Sequence, residues 1–251
     1  MPNTRLVHPA KIQCLAIFNN LPALLLYLGK VFFPVNLSVL PLLADTTLLY
    51  GWLALSIIVV ALYFSREKSP GRIVLGLVWY LIFLLPTFIR YDQGLFDFAE
   101  HRLYLAFAGL LIVMLEIDQV KKLRWTGRTG AIMVLLIIIL SGITMRQVRY
   151  YHDGVSFWQN AASTSPSSLL AHLNLSGMYA MNGRYDQAIA EGRRALALDK
   201  RAYMMHNNLG MLYLRQKKYR EAEAEFREEL RISGRNDGVL NNLLKAGRHA
   251  L

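Results

Sequence analysis

Two long apolar runs without a charged side chain constrain the fold of this chain more than any other feature. One extends over residues 48–64 and the other over residues 73–89. A helix needs about 17–25 predominantly apolar residues to cross the hydrocarbon core of a bilayer, and shorter apolar runs are typical of buried core helices. Both runs are therefore predicted to be membrane-spanning helices.

Three more segments have a similar composition. Residues 103–117 carry a single charge, Glu116, near their end, and residues 130–145 carry none. The first candidate is interrupted by Pro22 and Lys30. Hydrophobic residues make up 54% of the chain, above the ~45–50% typical of soluble domains. The sequence therefore predicts five spans, at about residues 15–33, 48–64, 73–89, 103–117 and 130–145.

The N-terminal region has features of a cleavable signal peptide. Arg5 and Lys11 precede an apolar stretch over residues 21–28. Lys30 and a pair of phenylalanines follow, at positions where small residues usually precede a cleavage site. A retained first helix is therefore favoured over cleavage.

The distribution of lysine and arginine predicts the orientation in the membrane. The loops at residues 66–72 and 121–128 are basic, which favours a cytoplasmic location, whereas residues 34–47 and 90–102 carry no excess of basic charge. Five spans then place the N-terminus in the cytoplasm and everything after residue 146 on the non-cytoplasmic side of a plasma, inner or ER membrane. Arg146 and Arg149 oppose this topology.

From residue 169 the sequence repeats with a period of 34 residues, which resembles the tetratricopeptide repeat (TPR), a helix pair of that length. In that family a small residue, here Ala188 and Ala222, lets the paired helices approach, and aromatic and leucine side chains fill the space between them. The matched pairs are Leu175/Leu209, Tyr179/Tyr213, Tyr185/Tyr219, Ala188/Ala222, Leu196/Leu230 and Leu198/Ile232.

The predicted fold is therefore all-α, a polytopic helix bundle over residues 1–146 followed by a TPR module over residues 147–251. The module has full repeats at 169–202 and 203–236 and half-repeats at 153–168 and 237–251. Two full repeats are fewer than the three or so that a stable stack usually needs, so the array is expected to rely on the membrane domain or a partner. The net charge of +11 lies in membrane-flanking loops or among acids, so no nucleic-acid partner is expected.

A cluster of ionisable residues lies where the fourth predicted span begins. Arg102, with His101 as a second donor, suits the phosphate of an anionic lipid. Alternatively these side chains are interfacial anchors that extend to water, with Glu100 neutralising Arg102. The candidate lipid-phosphate-sugar site comprises Lys30, Arg90, Glu100, His101, Arg102 and Tyr104.

Three segments together resemble a known family. They are YLGKVFFPVNLSVLP (27–41), WYLIFLLPTFI (79–89) and EHRLYLAFAGL (100–110). With the TPR units after them, they resemble the later half of GT-C-type O-mannosyltransferase-like membrane proteins. The resemblance implies a polyprenyl-phosphate-linked sugar donor and transfer to protein hydroxyls on the non-cytoplasmic face, with the TPR array near the acceptor.

The sequence departs from that family in two ways. Ala106 stands where the family usually has proline, and no segment corresponds to the upstream half that supplies its key acidic residue. The resemblance then implies either an incomplete enzyme or a subunit beside a separate catalytic chain. The outward acids that could substitute as general base are Asp45, Asp92, Asp97 and Glu100. The alternative is a noncatalytic scaffold whose TPR groove recruits an envelope or lumenal protein.

One asparagine recurs at the same position of successive first helices. Asn174, Asn208 and Asn242 could bind a peptide backbone or carboxylate, although ordinary TPR consensus also explains them. His172 and His206 likewise share a repeat position. The six histidines show no metal-ligand spacing with cysteine or acids, so no metal site is predicted.

Overall fold

The computed structural model describes residues 20–35, 37–88, 103–202, 204–234 and 236–250, and all regular structure in these ranges is helical. The all-α prediction is therefore confirmed for them. Two compact units are present, Met1–Arg149 and Tyr150–Leu251. The helices are α1 (Ala23–Phe32), α2 (Leu49–Phe64), α3 (Pro70–Phe88), α4 (Leu103–Met114), α5 (Asp118–Lys121), α6 (Gly127–Val148), α7 (Gly154–Thr164), α8 (Leu169–Met181), α9 (Tyr185–Leu198), α10 (Met205–Arg215), α11 (Tyr219–Ser233) and α12 (Asp237–Ala250).

Helices α1 to α4 share one apolar core in the first unit. Helix α1 pairs with α2, and α3 pairs with α4. The Tyr80 hydroxyl of α3 donates to the carbonyl oxygen of Leu24 at 3.1 Å, which joins α3 to α1. The buried core residues are Ala23, Tyr27, Leu28, Ala54, Ile58, Tyr80, Leu84, Ala106, Leu110 and Val113.

Glycines allow the helices of each pair to pack backbone against backbone. A Cβ atom at Gly29 would lie 2.7 Å from the nitrogen of Gly51, and one at Gly76 would lie 2.6 Å from the carbonyl oxygen of Gly109. Small residues of this kind are enriched where membrane helices meet, because apolar side chains gain little from leaving lipid and close backbone packing takes over. Both helix pairs therefore depend on the absence of a side chain at these glycines.

The outer faces of α2 and α3 are apolar and exposed. Helix α6 is also unburied, and the helical stretch Gly127–Tyr151 to which it belongs has a mean hydropathy of 2.1. Among the described helices, this stretch alone is long and apolar enough to cross a membrane by itself. The five-span bundle therefore stays a prediction. Exposed apolar residues on α2 and α3 include Trp52, Ile57, Val60, Val74, Leu81 and Ile82.

Several helix ends differ from the predicted spans. Helix α1 covers Ala23–Phe32 instead of 15–33, and residues 15–19 of that prediction lie outside the described residues. Helix α4 ends at Met114 instead of 117, because the chain turns there to direct two carboxylates at a neighbouring loop. Helix α6 begins at Gly127 instead of 130, since Thr126 caps it in a reciprocal pair with Thr129.

Two carboxylates hold the segment after α4 against the segment after α2. Asp118 accepts the backbone N–H groups of Arg66 at 2.9 Å and Glu67 at 3.3 Å. Glu116 is buried, accepts the backbone N–H of Ser69 at 2.8 Å, and pairs with Arg72 at 2.8 Å. The two loops predicted to share one side of the membrane are therefore in contact.

This contact predicts an acid-sensitive first unit. The backbone N–H of Arg66 that Asp118 accepts lowers the pKa of that carboxyl below its unfolded value of about 3.9. The stabilisation is present above about pH 4 and is lost as pH falls through the lower folded pKa. Asp118→Asn should melt at a lower temperature than wild type at neutral pH, with a smaller further loss in acid. Tryptophan-fluorescence melting of the detergent-solubilised chain from neutral pH to about pH 3 measures this. Superimposable profiles for the two proteins would contradict the assignment.

The second unit is a row of helices in which each packs against the next, from α7 through α12. The half-repeats predicted at its two ends are the helices α7 and α12. Ala188 and Ala222 are fully buried, and the Ser176 hydroxyl donates to the carbonyl oxygen of Ala188 at 2.8 Å, as the register predicts for touching helices. Leu198, predicted to fill the space between helices, is instead 45% exposed at the end of α9.

A polar pair, buried in the first repeat and partly buried in the second, joins the two helices of each repeat. The Nδ1 atom of His172 lies 2.6 Å from Glu191 Oε2, and its Nε2 atom lies 3.1 Å from the carbonyl oxygen of Pro166. A carboxylate and a carbonyl oxygen therefore flank the two ring nitrogens. In the next repeat His206 lies 2.7 Å from Glu225 in the same way.

Candidate peptide-binding groove

A groove opens in the second unit between α8, the start of α9, and α10. Its cavity volume is about 540 Å³. The three helices meet there because the loop after α8 is short, with Gly183 in a left-handed conformation that a Cβ atom disfavours. The residues that line it include Ser176, Met181, Tyr185, Asn208, Met211 and Arg215.

Exposed methionines lie beside polar side chains in this groove. Met181 is 80% exposed at the end of α8, and Met211 is partly exposed on α10. Methionine is flexible and polarisable, and it is common on surfaces that accommodate varied apolar side chains. Within the described part of the chain, the Asn208 amide and the Arg215 guanidinium make no side-chain hydrogen bond or ion pair. The groove can therefore bind an apolar side chain next to a carbonyl or carboxylate oxygen.

The three asparagines predicted as a peptide-binding face have different environments. Asn208 lines the groove. The amide of Asn174 donates to the carbonyl oxygen of Leu170 in its own helix at 2.8 Å. The amide of Asn242 donates to the side-chain oxygen of Asn207 at 3.1 Å, which joins α12 to α10. Peptide contact by all three stays a prediction.

Sequence comparison between the repeats missed Met211 and Arg215 because these groove residues differ from one repeat to the next, whereas it matched Tyr185 with Tyr219. Met211 corresponds to Gly177, and Arg215 corresponds to Met181. A search for matching residues finds positions that make the same packing contact in both repeats. Residues that bind a ligand need not be the same in both repeats. The glutamates that pair with histidine did carry a signal, since Glu191 and Glu225 are also 34 residues apart.

The predicted lipid-phosphate-sugar site falls largely outside the described residues. Arg90, Glu100, His101 and Arg102 all lie there, as do the candidate bases Asp92 and Asp97. Lys30 lies in the last turn of α1, and Tyr104 is 80% exposed near the start of α4. Convergence of these side chains on one headgroup therefore stays a prediction.

Comparison with known families identifies the repeat. Residues 151–201 and 193–237 match the tetratricopeptide repeat family. The second unit carries tetratricopeptide repeats. This TPR array agrees with the 34-residue period, and its first helix, α7, lies inside the matched region. No curated protein matches the chain. The resemblance to O-mannosyltransferase-like proteins gains no support from these matches and stays a hypothesis.

Proposed function

We propose that this protein is a membrane-anchored scaffold whose TPR array recruits a protein partner through the groove between α8 and α10. The family match supports a protein-interaction module. The observation that carries the proposal is that the Asn208 amide and the Arg215 guanidinium, which have no partner among the residues described, lie beside the exposed Met181. A peptide segment with an apolar side chain next to an acidic one fits that chemistry.

The apolar helices of the first unit support the membrane anchor. The unburied stretch Gly127–Tyr151 is long enough to span a bilayer, and the exposed faces of α2 and α3 are apolar. In the proposed topology the basic segments 66–72 and 121–128 face the cytoplasm and the TPR array faces outward.

Participation in protein glycosylation is the more specific hypothesis. It would use a polyprenyl-phosphate-linked sugar donor, and it rests on the resemblance of residues 27–41, 79–89 and 100–110 to the O-mannosyltransferase-like family. The key residue Arg102 lies outside the described residues. The scaffold function is preferred because residues 151–201 and 193–237 match the tetratricopeptide repeat family.

Site-specific photo-crosslinking tests the groove. A photoreactive phenylalanine analogue replaces Met181 in the full chain, in membranes of its native host. Irradiation should yield a discrete adduct, and Arg215→Glu should weaken it because reversing that charge removes a charge-assisted contact worth about 1.5–3 kcal/mol, or about ten- to hundredfold in affinity.

The matched control places the same analogue at Leu244, a 55% exposed residue of α12 outside the groove. It should give no such adduct. Identical adducts at both positions, or an adduct at Met181 that Arg215→Glu leaves unchanged, would contradict the groove as the binding surface.

A further inference from the structure

Two basic segments that are distant in sequence form one surface of the first unit. They are residues 65–72 and 115–128, here called the basic face. The backbone contacts of Asp118 with Arg66 and Glu67 and the pairing of Glu116 with Arg72 bring them together. Together the segments hold seven lysines and arginines against three acids, a net charge of +4.

Four of the seven cations already have partners within the unit. Glu116 pairs with Arg72 and also with Lys121 at 3.0 Å, and Lys122 lies 3.6 Å from Asp118. The ammonium of Lys68 donates to the carbonyl oxygen of Leu62 at 2.7 Å. Three exposed guanidinium groups remain without a hydrogen bond or ion pair to any described residue, those of Arg66, Arg124 and Arg128.

Exposed aromatic and apolar side chains lie beside these cations. Tyr63 and Phe64 end α2 with 77% and 69% of their surface exposed, and Trp125 is 82% exposed in the segment before α6. Helices α2 and α6 are apolar on their exposed faces. Across a membrane interface, apolar helix surface is followed by aromatic side chains and then by arginine. A soluble phosphate would need the cations but not the aromatic and apolar neighbours.

We propose that the basic face binds the phosphate headgroups of anionic phospholipids at the membrane surface. The guanidinium fork of arginine matches phosphate oxygens in bidentate geometry. Glu116 and Asp118 act inside the protein, where they hold the two segments together so that the three free arginines meet the same lipid surface. This inference rests on the membrane anchor of the proposed function and is independent of the TPR groove.

Lipid titration of the full chain in detergent, read by native mass spectrometry, tests this proposal. The probes are phosphatidylglycerol, phosphatidylcholine and soluble glycerol 3-phosphate. Wild type should prefer phosphatidylglycerol to both others. A basic residue near an anionic surface contributes about fivefold in affinity, so replacing Arg66, Arg124 and Arg128 by glutamine should weaken phosphatidylglycerol binding about a hundredfold. The fold should persist, because Arg66 contacts Asp118 through its backbone.

The control variant removes the same charge from the TPR array, with Arg220, Lys245 and Arg248 replaced by glutamine, and should bind phosphatidylglycerol like wild type. Equal binding by the basic-face variant and wild type overturns the proposal, as does an equal loss in the control or equal binding of glycerol 3-phosphate. Alkaline extraction of native membranes tests the membrane anchor separately from the basic face. Release of the chain contradicts the anchor itself, whereas retention without phosphatidylglycerol preference contradicts the basic face alone.

Discussion

Gly51→Ala is expected to disrupt the α1–α2 pair, although alanine is ordinarily the better helix former. The new Cβ atom would overlap the carbonyl oxygen of Leu25 and lie 2.6 Å from its carbonyl carbon. Alanine gains about 0.8–1.0 kcal/mol over glycine within a helix, while overpacking costs about 1–3 kcal/mol or more. Because the obstacle is backbone, which cannot rotate away as a side chain can, the clash exceeds the propensity gain. Gly109→Ala should disrupt the α3–α4 pair for the same reason, because its Cβ atom would lie 2.7 Å from the nitrogen of Tyr80.

Gly142→Ala is the matched control, since it lies in the apolar helix α6 and a Cβ atom there has nothing within 4 Å. It should leave the melting temperature of the full chain in detergent unchanged or raise it. Gly51→Ala should lower that temperature clearly, or leave no cooperative transition. Equal melting of the Gly51 and Gly142 variants would show that α1 and α2 do not pack as described.

Phe226→Ala is expected to cost about 3–5 kcal/mol of TPR array stability, a large part of the ~5–15 kcal/mol that stabilises a typical domain. Phe226 is fully buried on α11. Its ring covers Gly210 of α10, where a Cβ atom would lie 2.8 Å from Phe226 Cδ1. Glycine has no side chain that could move into the cavity, so the loss should be near the upper end of this range.

Urea unfolding of the full chain in detergent, followed by far-UV circular dichroism, measures this loss. Leu244→Ala removes a similar apolar side chain from a 55% exposed position and should change stability by less than about 0.5 kcal/mol. A Phe226→Ala transition that coincides with that of Leu244→Ala would contradict the packing of α11 on α10.

The 34-residue period predicted much of the TPR array because every helix pair makes the same packing contacts at equivalent positions. Leu175 and Leu209 are buried at equivalent positions, and so are Tyr179 and Tyr213. The same logic failed for Leu198, which lies at a helix end where the neighbour no longer covers it. Periodicity therefore identifies the middle of each helix better than its last turn.

The first unit was less predictable because its decisive contacts join distant segments. Hydropathy identifies an apolar helix but does not show which glycine meets a partner, so Gly51 and Gly142 look equivalent in the sequence. In the sequence, Glu116 is a single charge near the end of a predicted span. The structure shows that it is buried and paired with Arg72. The groove escaped prediction for another reason, since binding residues such as Arg215 need not recur between repeats.

The hydrogen bond from Arg66 to Asp118 also has a consequence for how the chain is made. Its two ends are 52 residues apart. At about 5–20 residues per second, a ribosome needs about 3–10 s to synthesise Asp118 after Arg66. During that interval α2 and α3 exist without the carboxylates that fasten their connecting loop. The connecting loop therefore has no carboxylate partner until residues 116–118 have been synthesised, and α3 lacks its packing partner α4 until shortly before that point.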